Sequence, residues 1–165
     1  MPKLTKSLES ATRKKIDLTL DKLDWITDEE SPKCNVFTER AKTEEQDKKF
    51  KGKNPDYVLY SSNTDEPIAI ISAKRKGQNI EDALKQAIKD YATPLNIDVV
   101  FVIDGAFVKS WSIKANNELF LDGEPLKELI SEERLLRFLK EGNNIEEIAE
   151  EIKHTREELI KIFKW

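Results

Sequence analysis

Two side chains in the middle of the chain are of types that can do chemistry together. Asp56 stands directly after Asn54-Pro55, and Lys74 closes the run Ser72-Ala73-Lys74. A carboxylate supplies a hard oxygen ligand for a divalent cation, and an ammonium can orient water and balance phosphate charge. On an extended strand Ser72 and Lys74 share one face while Ala73 points to the other. Taken singly these residues are ordinary. A lone Asp56 is a strand-edge acid, and a buried strand serine such as Ser72 usually bonds to the backbone. Only the elements that carry them can make a site.

Those elements are legible from pattern. Tyr57-Val58-Leu59-Tyr60 and Ile68-Ala69-Ile70-Ile71 are short, β-branched or aromatic runs that fit buried strands. The segment between them, Ser61 to Pro67, is rich in turn formers. If the runs pair as a hairpin, Asp56 and Lys74 lie at the same open end. From Asn79 to Ala92 the residues Ile80, Ala83, Leu84, Ala87, Ile88 and Tyr91 fall on one helical face. Asn79 is its N-cap, with Glu81 and Asp82 in the first turn. Two more strands follow, 99–103 and 107–113, with Asp104-Gly105 as a tight turn between them. Upstream, Ile16, Leu20, Leu23 and Ile26 predict an amphipathic helix over Ser7–Ile26, with a possible break near Asp17. A weaker helix is expected over Thr38–Lys49. Downstream, Leu126 to Leu139 make one or two helices ending at Gly142. Asn144 with Glu147, and Thr155 with Glu158, are capping-box pairs for two short helices. The order predicts a mixed α/β layer structure, with a core over 1–120 and a helical extension or connector over 121–165. Gly77 is isolated, so no glycine-rich phosphate loop of a dinucleotide fold is present.

Composition narrows the classes further. The 165 residues are 38% hydrophobic and 36% charged, enough for one domain with a real core. No run approaches the length of a membrane span, and the start, Met1 to Lys6, lacks an apolar signal-peptide run. One cysteine (Cys34) makes no internal disulfide, so a reducing cytoplasmic compartment is the expectation. One histidine (His154) excludes His-rich zinc sites and a Cys/His finger. Residues 121–165 carry 8 basic and 12 acidic side chains, which is the whole of the net −4. Residues 33–76 carry 10 basic against 7 acidic, bunched at Lys48-Lys49-Lys51-Lys53 and Lys74-Arg75-Lys76. A polyanion would meet the chain at Lys48, Lys49, Lys51, Lys53, Arg75 and Lys76. A solvated lysine-rich face is the plainer account of the same knots.

Asn54-Pro55-Asp56, then Ser72-Ala73-Lys74-Arg75-Lys76-Gly77-Gln78, then a helix with Gln86 and Tyr91, resembles the PD-(D/E)xK nucleases. More narrowly it is similar to the N-terminal endonuclease domain of type I restriction-enzyme R subunits and of type IIG restriction–modification enzymes. The likeness is densest from Asn35 to Trp111, about half of the chain, and includes Asp104-Gly105 before the last strand. It implies a restriction-endonuclease-like core, with a mixed sheet of about four strands flanked by helices. It implies hydrolysis of double-stranded DNA with Mg²⁺, for which Mn²⁺ would substitute. Asp56 would be the metal-ligating acid, Lys74 the catalytic lysine and Ala73 a backbone-carbonyl ligand. Glu39 is the candidate for an upstream glutamate, with Glu44, Glu45 and Glu30 as rivals. Further domains or subunits of a restriction–modification enzyme and a transient dimer on DNA are the implied partners, with no membrane.

Two departures from the family pattern carry weight. The second acid of the motif should stand at 72, where this chain has Ser72. A neutral hydroxyl is a poor replacement for a carboxylate around Mg²⁺, so the chain as written is expected to cleave DNA very poorly or not at all. Gln86 and Tyr91 are five apart where the family has four, about 140° around an α-helix instead of about 40°. Either a π-bulge realigns them or only one serves the site. A non-catalytic alternative is a DNA-binding module built on the short helices from Asn144 to Phe163. Against it, Glu157 and Glu158 open the second of those helices, where phosphates would be met.

Overall fold

In the computed structural model, residues 2–74, 77–105, 107–121 and 123–141 are described, with the backbone alone over 2–9. Alternation with period two and the 3.6-residue repeat sort the core into two layers on either side of one sheet. Helix α1 (Pro2–Lys22) is followed by β1 (Val36–Thr38), α2 (Glu44–Lys48), β2 (Tyr57–Tyr60) and β3 (Pro67–Ala73). Next come α3 (Ile80–Ala87), a π-helical turn (Ile88–Ala92), β4 (Val99–Ile103) and β5 (Val108–Ser112). A small hairpin, β6 (Phe120–Leu121) with β7 (Glu124–Pro125), leads to α4 (Glu132–Glu141).

The sheet has five strands in the order β1-β2-β3-β4-β5. Only β3 and β4 run parallel, and α3 with its π turn makes the crossover between them. One face carries Tyr57, Leu59, Ala69, Ile71, Val99 and Phe101 and packs against Ile16 and Leu20 of α1. Leu126, Leu129, Ile130, Leu135 and Phe138, all beyond residue 120, belong to that same cluster. The opposite face carries Val58, Tyr60, Ile70, Val100 and Val102, covered by Ala83, Leu84 and Ala87 of α3 and by Phe37 and Phe50.

The architecture is the mixed α/β type the sequence predicts, with local corrections, one of them that the helix expected from Leu126 begins only at Glu132, after the β6–β7 hairpin. The sheet has five strands and not four, because Val36–Thr38 pairs with β2. The expected helix over Thr38–Lys49 shrinks to Glu44–Lys48, capped by Thr43. Thr38 itself is strand, because Val36 and Phe37 find burial beside β2 that a surface helix would deny them. Helix α1 begins at Pro2 and runs unbroken past Asp17, whose carboxylate accepts a hydrogen bond from Tyr57 Oη and leaves the helix backbone intact. The capping-box helices of the alternative DNA-binding reading lie outside the described residues, as do Arg75 and Lys76. Among the described residues no helix is long and apolar enough to cross a membrane.

Candidate active site at one end of the sheet

The register brings the sequence candidates to one end. Thr38 pairs with Tyr57, and Tyr57 pairs with Ile71. One step further, Glu39, Asp56 and Ser72 stand in a row across β1, β2 and β3. The Glu39 N–H donates to the Asp56 carbonyl at 3.3 Å, which holds that row beyond the last strand pair. Ala73 pairs with Ile103 of β4, and the Lys74 N–H donates to the Ile103 carbonyl at 2.7 Å. The start of β2 and the ends of β3 and β4 therefore make one mouth.

Asp56 is fastened from two sides. Its Oδ2 accepts the Ala73 N–H at 2.7 Å, tying the carboxylate to the end of β3. Its Oδ1 accepts from Arg13 Nη2 of α1. The other arm of the same guanidinium, Nη1, reaches Glu39 Oε1 at 3.1 Å. Arg13 thus bridges the two acids. Burial works against the charge on Arg13, but Asp56 and then Glu39 outweigh it and hold the guanidinium pKa above its ordinary value. The Glu39 backbone is left-handed, with φ of 61°. That conformation costs a non-glycine residue about 1–2 kcal/mol, and it ends β1 where the side chain can turn toward Arg13.

Tyr57 keeps α1 in place above this mouth. Its hydroxyl donates to Asp17 Oδ1 at 2.7 Å and lies 3.3 Å from the Arg13 carbonyl. Burial first, and then the bond to Asp17, push the Tyr57 hydroxyl well above its ordinary pKa. Sequence reasoning missed both Arg13 and this clamp. A signal was present, since Arg13 and Asp17 are four apart and flank buried Ile16 on one helix face.

Ser72 is 6% exposed, and no side-chain hydrogen bond joins it to another described residue. It lies on the α3 face of the sheet with Ile70, while Ala73 is buried on the α1 face. Lys74 is half-buried at the strand end, and its ammonium has no ion pair with a described residue. The π turn at Ile88–Ala92 is real, with the Thr93 N–H bonding five residues back to Ile88 at 2.9 Å. Tyr91 on that turn donates to the Asn54 carbonyl at 3.0 Å and packs edge-on against Phe50. Burial, then the charges of Asp90 and Asp56, raise its pKa. Gln86 is exposed on α3.

Of the rival glutamates, Glu44 and Glu45 lie exposed on α2 and Glu30 is exposed in the loop after α1. Lys48, Lys49 and Lys51 are exposed, on the chain leading to Asn54. Lys53 pairs with buried Asp90 at 2.9 Å, a partner the sequence did not reveal. No cluster of three or more metal-ligating side chains occurs among the described residues. Asp56 and Glu39 nonetheless share one cation already. Two carboxylates of that kind, with waters, are a donor set a small hard divalent ion accepts.

No family model matches the chain, and no curated protein matches it. A solved fragment described as an HsdR subunit of a type I restriction enzyme from Vibrio vulnificus YJ016 has a similar fold, with a TM-score of 0.50 and 19% identity. The match covers 75% of this chain and 23% of that one, so this chain spans under a quarter of its length. What the comparison and the topology share is the fold, a restriction-endonuclease-like mixed α/β architecture.

Proposed function

We propose that this chain is a nuclease domain of the PD-(D/E)xK type from a restriction enzyme, acting on double-stranded DNA and catalytically crippled at Ser72. The observation that carries the reading is the fastening of Asp56 to the Ala73 N–H, with Glu39 and Ser72 in the same cross-strand row. In this arrangement Asp56, Glu39 and the Ala73 carbonyl would hold Mg²⁺, or Mn²⁺ in its place. The ion would supply charge for the developing phosphorane oxygens and a more acidic water. Lys74 would orient that water and neutralise the scissile phosphate, while Lys48, Lys49, Lys51, Arg75 and Lys76 bind flanking phosphates. Tyr91 positions the loop of Asp56 by its bond to Asn54. Ser72 removes one carboxylate from the donor set, and the expected consequence is DNA binding with little cleavage.

In this reading the chain is one part of a larger restriction–modification assembly, in which other modules would read the target sequence and two such domains would pair on DNA; the fold shared with the HsdR fragment is in keeping with it. The test is restoration. Ser72→Glu is assayed for Mn²⁺ binding by calorimetry and for plasmid nicking with Mg²⁺ or Mn²⁺, with Ser72→Asp as the smaller acid. Regained nicking that vanishes with Lys74→Ala supports the assignment. No gain in metal binding and no nicking by either acid overturns it.

A further inference from the structure

We infer that Arg13 is a built-in counter-cation that competes with the divalent metal for Asp56 and Glu39, so that metal enters only as the guanidinium leaves. The inference rests on the nuclease reading in taking this acid pair as the cation site.

A single guanidinium holds both acids, one on each arm. Charge-assisted pairs of this kind are among the stronger hydrogen bonds. Asp56 has only 19% of its side chain exposed and its second oxygen is occupied by the Ala73 N–H. Oδ1, the oxygen that would face a metal, is therefore the one Arg13 takes. Two cations cannot share that oxygen at ligand distance without strong repulsion.

The helix need not move for the exchange. Ile16 and Leu20 are buried at 2% and 0% exposure, and the Tyr57 hydroxyl bonds to Asp17 and to the Arg13 carbonyl. The backbone at Arg13 is thereby pinned while the side chain, a third exposed, has solvent to swing into. Released there, the guanidinium lies at the mouth, where a phosphate would be a fitting new partner.

The coupling is reciprocal: whatever Arg13 costs the metal in affinity, the metal costs Arg13 in its bond to the acids. The experiment measures Mn²⁺ affinity by calorimetry, without DNA, in the chain as it stands and in Arg13→Gln. An increase of about tenfold is expected, with Arg13→Lys, which serves one acid at a time, falling between. In parallel, labelling of Arg13 by an arginine-specific reagent, followed by mass spectrometry, is expected to speed up when Mn²⁺ saturates the unaltered chain. Mn²⁺ binding equal or weaker in both variants overturns the inference, as does Arg13 labelling that ignores Mn²⁺. Nicking restored by Ser72→Glu alongside an unchanged Mn²⁺ affinity in Arg13→Gln sinks this inference and spares the nuclease reading. Raised affinity in Arg13→Gln alongside a Ser72→Glu protein that never nicks does the reverse.

Discussion

Ser72 is where a single side chain alters the charge balance of the mouth. It stands in a cross-strand row with Asp56 and Glu39 and is 6% exposed. A third carboxylate there would be close to two like charges and partly desolvated. Ser72→Glu is accordingly expected to melt several degrees below the unaltered chain in chelator and to recover with millimolar Mn²⁺, since a ligand bound only by the folded state stabilises it. A scan of thermal unfolding with and without Mn²⁺ measures this, and a variant that melts lower in both conditions contradicts it. Tyr60 offers a pH test. Its hydroxyl donates to Gln46 and accepts the Lys42 N–H, and burial pushes its pKa from the ordinary 10.0 up to about 12. The folded state then keeps a proton that the unfolded state loses. Its contribution is complete below pH 10 and is lost as pH rises through about 12. Tyr60→Phe is expected to flatten the decline of stability over that window, at the expense of lower stability near neutrality because the Lys42 N–H loses its acceptor.

The element that carries most of the positioning is α3 with its π turn. Asn79 caps α3, its side chain accepting from the N–H groups of Glu81 and Asp82, as its residue type predicts. Asn79→Ala is expected to cost about 1 kcal/mol in chemical denaturation. A loss under a few tenths would mean that the helix start is held by packing alone. The π turn lets the chain carry Tyr91 to the Asn54 carbonyl while Ala87 and Ala92 stay buried. Tyr91→Phe keeps the ring against Phe50 and removes only that hydrogen bond. It is expected to leave stability within about 1 kcal/mol and, in the Ser72→Glu background, to slow nicking through a loosened Asp56 loop. Unchanged nicking would assign Tyr91 to the core alone. Five-residue spacing between Gln86 and Tyr91 is visible in the sequence, and so is the prospect of a π turn. That Tyr91 comes to the Asn54 carbonyl follows from where α3 docks.

At the scale of the molecule, the described segment 123–141 is bound into the sheet's core. Leu135 is fully buried and Trp25 Nε1 donates to the Ile130 carbonyl at 2.9 Å. Glu132 at the start of α4 accepts from Asn35 Nδ2 and the Ser62 hydroxyl, tying α4 to the β2–β3 turn. Leu135→Ala is expected to destabilise the entire domain by about 2–5 kcal/mol, in one cooperative transition. A separate early transition would show that residues 121–141 unfold on their own.

Local pattern decided much of this protein: the strand runs at 57–60, 68–71, 99–103 and 107–113, the amphipathic face and cap of α3, and the types of chemistry Asp56 and Lys74 can do. Those features are written in neighbouring residues, where side-chain periodicity and capping operate. The three residues of β1 carry no strand signal of their own, and Thr38 falls in the expected helix, because a strand so short shows no period and exists only by pairing with β2. Arg13 lies 43 residues from Asp56 and 26 from Glu39, so no local rule joins them. Which acids share a cation is set by how α1 lies across the strand ends, a choice made by the packing of Ile16, Leu20 and Tyr57.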